Sequence, residues 1–153
     1  MTAYVPAYRV CMVREGSVRM TERPALRAPD DAGRFFLEFY RQRHPDLDRE
    51  AFAVACLDVR CRVIACETVC TGCLSATLVH PREVFTLAVL HKAAAIAVAH
   101  NHPSGDAEPS TDDIRLTQRL AAAGVLMGVD VLDHIVVGDG TWVSLKQRGH
   151  LLR

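Results

Sequence analysis

The stretch Ala95-Ile-Ala-Val-Ala-His100-Asn-His102-Pro103-Ser-Gly105-Asp-Ala-Glu-Pro109-Ser110-Thr-Asp-Asp113 passes abruptly from a continuous apolar run into a polar segment held between two prolines. A short, uninterrupted apolar run such as Ala95 to Ala99 suits a buried strand. Histidines at i and i+2 on an extended segment point the same way, because strand side chains alternate with period two. Both imidazoles then reach one ion at about 2.0–2.1 Å. Pro103 and Pro109 restrict the loop that follows, and Gly105 lets it turn. Ser110 to Ala123, with Ile114, Leu116, Leu120 and Ala121 apolar, reads as a helix stopped near Gly124 or Gly128, and its first turn returns Asp113 toward the histidines.

Working outward, Pro81 at a first-turn position, followed by Val84, Phe85, Ala88 and Val89, predicts an amphipathic helix to about His91. Phe52 to Asp58 and Arg62 to Val69 read as two strands joined by a polar turn, and Val129 to Val137 and Thr141 to Leu145 as closing strands around Gly138-Asp139-Gly140. Asp30 and Asp31 open a helix bearing Phe35, Phe36, Phe39 and Tyr40, which His44-Pro45 ends, since the residue before proline is pushed out of helical geometry. Pro24 to Pro29 reads as a linker, and Tyr8 to Met20, with a turn at Arg14-Glu15-Gly16, as a peripheral hairpin. The fold expected is a mixed sheet with helices packed against it, α/β or α+β, with residues 1–28 as an extension and 29–153 as the domain.

With 153 residues the chain is of one-domain size, and it is half hydrophobic and about a quarter charged, the profile of a soluble globular protein. Eighteen basic residues balance eighteen acidic ones, so no global field favours nucleic acid or an anionic membrane. No signal-peptide pattern or membrane-spanning run is present, which makes the cytoplasm the expected location and the six cysteines expected thiols.

Two neutral imidazoles and a carboxylate make a set of three protein ligands, which on zinc leaves a position for water and so marks a catalytic rather than a structural site. Zinc lowers the pKa of such a water from 15.7 toward roughly 7. A nearby carboxylate that takes the water proton and returns it to a leaving amine would complete a hydrolase. Each element also has a plain reading. Ser110 and Asp113 have the spacing of a capping box, and Asp106 and Asp112 compete with Asp113 as the acidic ligand. Cys61, Cys66, Cys70 and Cys73 offer a rival zinc site, but the Cys61–Cys66 spacing is loose and no second C-x-x-C follows. Asp133-His134 reads either as support behind a metal site or, preferably, as a self-satisfied hydrogen-bond cluster.

The run from His100 to Asp106, with Pro109-Ser110 and Asp113 behind it, resembles the signature of bacterial RadC-like proteins in the JAB/MPN (JAMM) superfamily of zinc metalloproteases. The likeness continues through Val79 to Phe85, Val131 to Gly138 and Val143 to Leu145. It implies the JAB/MPN, cytidine-deaminase-like architecture, with His100, His102 and Asp113 as zinc ligands and Ser110 helping to hold an oxyanion. It also implies a glutamate base ahead of the ligand motif, for which Glu50 is the match and Glu67 and Glu83 the substitutes. The activity expected from it is hydrolysis of an amide bond, as a metallopeptidase or isopeptidase acting on a peptide or protein. Two alternatives stand beside it: a DNA-repair or mobile-element accessory protein without direct catalysis on DNA, and a non-catalytic protein-binding scaffold. No direct contact with nucleic acid or membrane is expected, and an exposed edge or hairpin would serve a homodimer.

Overall fold

The computed structural model describes residues 5–6, 8–14, 16–20, 22–46, 48–72 and 79–151. Its elements run α1 (Pro29–Arg43), β1 (Ala51–Leu57), β2 (Val63–Thr71), α2 (Pro81–Leu90), β3 (Ala95–Asn101), α3 (Thr111–Met127), β4 (Asp130–Val137) and β5 (Trp142–Ser144). The strands form one five-stranded sheet in the order β2-β1-β3-β4-β5. Only the β3–β4 pair is parallel, and α3 is its crossover. This is a mixed-sheet α/β fold of the kind JAB/MPN domains have.

Burial explains the strand composition. Every residue of β1 and β3 is buried, because helices cover both faces of the sheet. Ala51, Ala53, Ala55 and Leu57 of β1 and Ala95, Ala97 and Ala99 of β3 pack beneath Phe35, Phe36, Phe39 and Tyr40 of α1. The alternate residues, Phe52, Val54, Cys56, Ile96 and Val98, pack against Val84, Phe85 and Ala88 of α2 and Leu116 and Leu120 of α3. The alanines on the first face let α1 approach closely while its aromatic side chains fill the space. Gly33, inside α1, is required by the same closeness, since a Cβ there would stand 2.2 Å from the Trp142 ring.

The N-terminal segment departs from the expected hairpin. Among the described residues no strand precedes β1, and Tyr8, Val10 and Val13 are largely exposed. Their loose alternation has no face to bury, so nothing selects a strand. Nor are Pro24 to Pro29 a free linker: Leu26 is buried, its N–H donates to Cys61 O at 2.8 Å, and Pro24 O accepts from Val63 N at 2.9 Å. This segment covers the start of the β2 edge. Cys11, Cys56, Cys61 and Cys66 are free, as expected, but Cys70 is disulfide-bonded, which corrects the expectation of thiols throughout. Cys73 lies outside the described residues. Among the described residues the cysteines share no common locus, because Cys66 packs on the α1 side of the sheet and Cys70 on the other.

Candidate metal centre

His100 sits near the C-terminal end of β3, on the face that carries α2 and α3, and His102 follows where the strand runs out. Backbone bonds hold this exit: His102 N donates to Val137 O at 2.8 Å, and Asp139 N to Gly105 O at 2.8 Å. Gly138 is needed there, because a Cβ would meet Gly105 O at 2.3 Å. The loop then delivers Ser110 as the N-cap of α3 and Asp113 as its third residue.

The capping box exists and does not compete with the ligand reading. Asp113 N donates to Ser110 Oγ at 3.1 Å, and Ser110 N donates to Asp113 Oδ2 at 2.7 Å. That reciprocal pair fixes the Asp113 side chain, and the positive end of the helix dipole favours its charge. The aimed carboxylate meets both imidazoles: Asp113 Oδ1 lies 3.1 Å from His100 Nε2, Oδ2 lies 3.3 Å from His102 Nε2, and the two Nε2 atoms are 3.0 Å apart. Ligand atoms about 2.0–2.1 Å from a tetrahedral zinc stand about 3.3–3.4 Å from one another, close to these separations. Among the described residues this is the one group of His, Cys, Asp and Glu with its ligand atoms close enough to share a metal ion. Asp106 and Asp112 stand outside it; Asp106 Oδ1 accepts from Glu108 N, and Asp112 pairs with Arg115.

The hydrogen-bond directions supply a stricter test of fit. His102 Nδ1 lies 2.8 Å from Asp106 O, which only accepts, so Nδ1 carries the proton and Nε2 presents a lone pair. On the other side, Thr117 Oγ donates to Asp113 O at 2.7 Å, leaving Thr117 to accept from His134 Nδ1 at 2.6 Å. His134 Nε2 then accepts from His100 Nδ1 at 2.8 Å, and His100 Nε2 is also left as a lone pair. Two lone pairs and a carboxylate thus converge on one point, an arrangement that a cation satisfies and an empty space does not. In the chain alone a proton must stand in. Burial would raise the Asp113 carboxyl, but hydrogen bonds from His100 and His102 hold it well below the usual carboxylate range. The bond to Asp113 raises His102, while burial drives His134 well down and keeps it neutral.

Asp133-His134 is therefore not one cluster. The His134 ring backs His100, whereas Asp133 accepts from Ser144 Oγ at 2.7 Å, from His134 N at 2.7 Å and from Lys146 N at 3.2 Å. A bulge in β4 produces this split. Ile96 pairs with Val131 but Ala97 with Asp133, so Leu132 is extra and every later side chain changes face. Without the bulge, His134 would face α1. Phe52 closes the inner wall, with its ring stacked on His100 at 6.2 Å between centroids and edge-on to His134 at 5.5 Å.

Of the candidate bases, Glu50 is half-buried immediately before β1, whose residue Phe52 pairs with His100. Burial pushes its carboxyl up, and it feels the charges of His100, Asp113 and His102. Glu67 instead accepts from Thr68 N and faces Arg43 at 3.9 Å, and Glu83 is exposed in the first turn of α2. Ser110 is exposed at the mouth of the site. Of the three converging residues, His102 has a side chain 20% accessible, against 1% for His100 and 4% for Asp113, so the centre opens on the His102 side. Thr117 and Asn101 are functional neighbours that the sequence reading misses, whereas His134 takes the supporting place that the sequence offered as the less preferred of its two readings. For Asn101 and His134 the available signal was a polar residue in an otherwise apolar strand; Thr117 lies within α3 and carries no such signal.

A strand-end histidine pair joined to a helix-capping aspartate, on a mixed sheet of this order, is a group that could hold a metal ion, consistent with a JAB-type domain. The family model for the RadC-like JAB domain matches residues 26–150, and the chain belongs to that family. It is 46% identical over 123 residues to a UPF0758 protein of Alkaliphilus metalliredigens, covering 80% of this chain and 51% of that one. It is 43% identical over 150 residues to a UPF0758 protein of Desulforamulus reducens, covering 95% and 64%. A UPF0758 protein of Bacillus cereus is 43% identical over 129 residues, covering 84% of this chain and 56% of its own length. The chain thus spans between about half and two thirds of these curated relatives. Among the described residues no helix is long and apolar enough to cross a membrane.

Proposed function

We propose that the chain is a zinc-dependent hydrolase of amide bonds, a metallopeptidase or isopeptidase acting on a peptide or protein. The observation that carries this reading is the convergence of the His100 and His102 Nε2 lone pairs on the buried Asp113 carboxylate, with Glu50 within electrostatic reach. Zinc held by these three residues would supply Lewis acidity and make a water acidic enough to lose its proton near neutral pH.

The chain's own groups do the rest. Glu50, raised by burial, accepts the proton of the attacking water and delivers it to the leaving amine. Ser110 Oγ already accepts from Asp113 N, which leaves its O–H free to donate to a developing oxyanion at the mouth of the site. Phe52 and the buried His134 keep bulk water from the inner side. The amide class comes from the family likeness, and the exposed flank of His102 is where a substrate carbonyl enters.

The test is metal content by elemental analysis, followed by a fluorogenic peptide screen. Wild type should hold one zinc per chain and His102→Ala none, while Glu50→Gln keeps the metal and loses hydrolysis at least a hundredfold, the lower range of a lost acid–base group. Zinc retained in His102→Ala would refute the ligand assignment. A metal-free wild type would turn the reading toward a protein-binding scaffold.

A further inference from the structure

Between the two histidine ligands stands Asn101, fully buried and, by strand alternation, on the opposite face of β3. A primary amide placed there must find partners, and it finds two that bracket a single residue. Asn101 Oδ1 accepts from Ala51 N at 2.8 Å, and Asn101 Nδ2 donates to Arg49 O at 2.9 Å. The residue between them is Glu50. Its own carbonyl accepts from Gly72 N at 2.7 Å, and the next carbonyl, Ala51 O, accepts from Tyr40 Oη at 2.6 Å. Arg49 O, Glu50 O, Ala51 N and Ala51 O are therefore all engaged, on one side or the other.

The regular β1–β3 ladder ends at the Phe52–His100 pair. Beyond it the Asn101 side chain takes over, supplying one donor and one acceptor where backbone from β3 would otherwise stand. The choice of residue follows. Aspartate lacks the donor for Arg49 O, glutamine carries the amide one methylene too far, and leucine of the same shape leaves both backbone groups orphaned. A base must be held within about 0.5 Å of its working place relative to the metal. The histidines stand at the end of β3 and Glu50 just before β1, and Asn101 ties these two chain segments together.

We propose that Asn101 is a positioning residue for Glu50: the tripeptide His100-Asn101-His102 carries two metal ligands on one face and, on the other, the clamp that sets the base. This rests on the reading of Glu50 as the base, and a double-mutant cycle separates the two. The probe is Co(II) bound to the full chain, and the readout is the pH midpoint of its visible absorption band, which requires no substrate. Asn101→Leu and Asn101→Ala should each still bind one Co(II) per chain and move the midpoint by about one pH unit, a tenfold change in proton affinity. In the Glu50→Gln background the same substitutions should move it by less than about 0.3 unit, because the group through which Asn101 acts is gone. Equal shifts in both backgrounds would overturn the proposal, as would loss of metal from both Asn101 variants, which would make Asn101 a support of the ligand strand alone. A Glu50→Gln midpoint identical to wild type would overturn the base reading and this one with it.

Discussion

Replacing Thr117 with valine removes one hydroxyl from a fully buried position and leaves the side-chain shape nearly unchanged. The hydroxyl is the end of the line that runs His100 Nδ1 to His134 Nε2 and His134 Nδ1 to Thr117 Oγ. Without it, the His134 Nδ1–H has no acceptor, and orphaning a buried donor costs about 1–3 kcal/mol. The metal-free protein escapes most of that cost by moving the His134 proton to Nε2. His100 Nδ1 must then accept, which places the remaining proton of a neutral His100 on Nε2, where a metal would bind. Binding has to reverse the shift, so the penalty falls on affinity. At 1.4 kcal/mol per decade the range corresponds to a loss of about 5- to 150-fold, overlapping the 10–100-fold typical of groups that orient a ligand histidine. The assay is competition for zinc against a chromogenic chelator at fixed pH, with Thr117→Ser as the control that keeps the hydroxyl. Wild-type affinity in Thr117→Val, or equal losses in the valine and serine variants, would show that the hydroxyl does not set the tautomer.

Other expectations lie away from the centre. Gly33→Ala drives a methyl into the Trp142 ring, and overpacking of this kind costs about 1–3 kcal/mol; thermal unfolding should fall by about 2–12 °C, and an unchanged midpoint would mean that α1 and β5 slide freely past each other. Asp58 accepts from Arg60 N, Arg62 N and Arg62 Nε in the β1–β2 turn, and these bonds hold its carboxyl down at about 2, against about 3.9 when unfolded. A depressed carboxyl stabilises fully above the unfolded value and loses its contribution as pH falls through the folded one. The stability gap between wild type and Asp58→Asn should therefore close between about pH 4 and pH 2; a gap that persists at pH 2 would assign it to the turn's shape instead.

Much of the sheet could be read because its strands and helices carry strong, separate periods. α1 was legible from four aromatics at helical spacing and a proline just past its end, and β3 from the five-residue apolar run Ala95 to Ala99 that leads into polar residues. The convergence of His100, His102 and Asp113 was legible for a related reason: period two on a strand, two prolines in the loop and a capping pattern at the helix all constrain the same few side chains. What could not be read was whatever depends on register. The bulge at Leu132 is invisible in a run of Val, Leu, Ile and Val, yet it turns His134 toward His100 and Asp133 away. Asn101 contacts residues some fifty positions earlier, a distance no local pattern spans. The hairpin expected between Tyr8 and Met20 failed because alternation signals a strand only where a sheet face exists to receive it. Only its end meets α1 among the described residues, with Val18 and Met20 packed on the core and Arg19 N and O both bonded by the Gln42 side chain.

Asp113 has two employments, as partner of the histidines and as the residue that completes the start of α3. Selection would release them at different times. A descendant of this chain with no use for a metal would be free to lose His100 and His102 at once, but removing Asp113 would still fray a seventeen-residue helix. The aspartate should therefore outlive the histidines in such lineages. Its presence in a distant relative is a record of the helix, and only the histidine pair is a record of the metal.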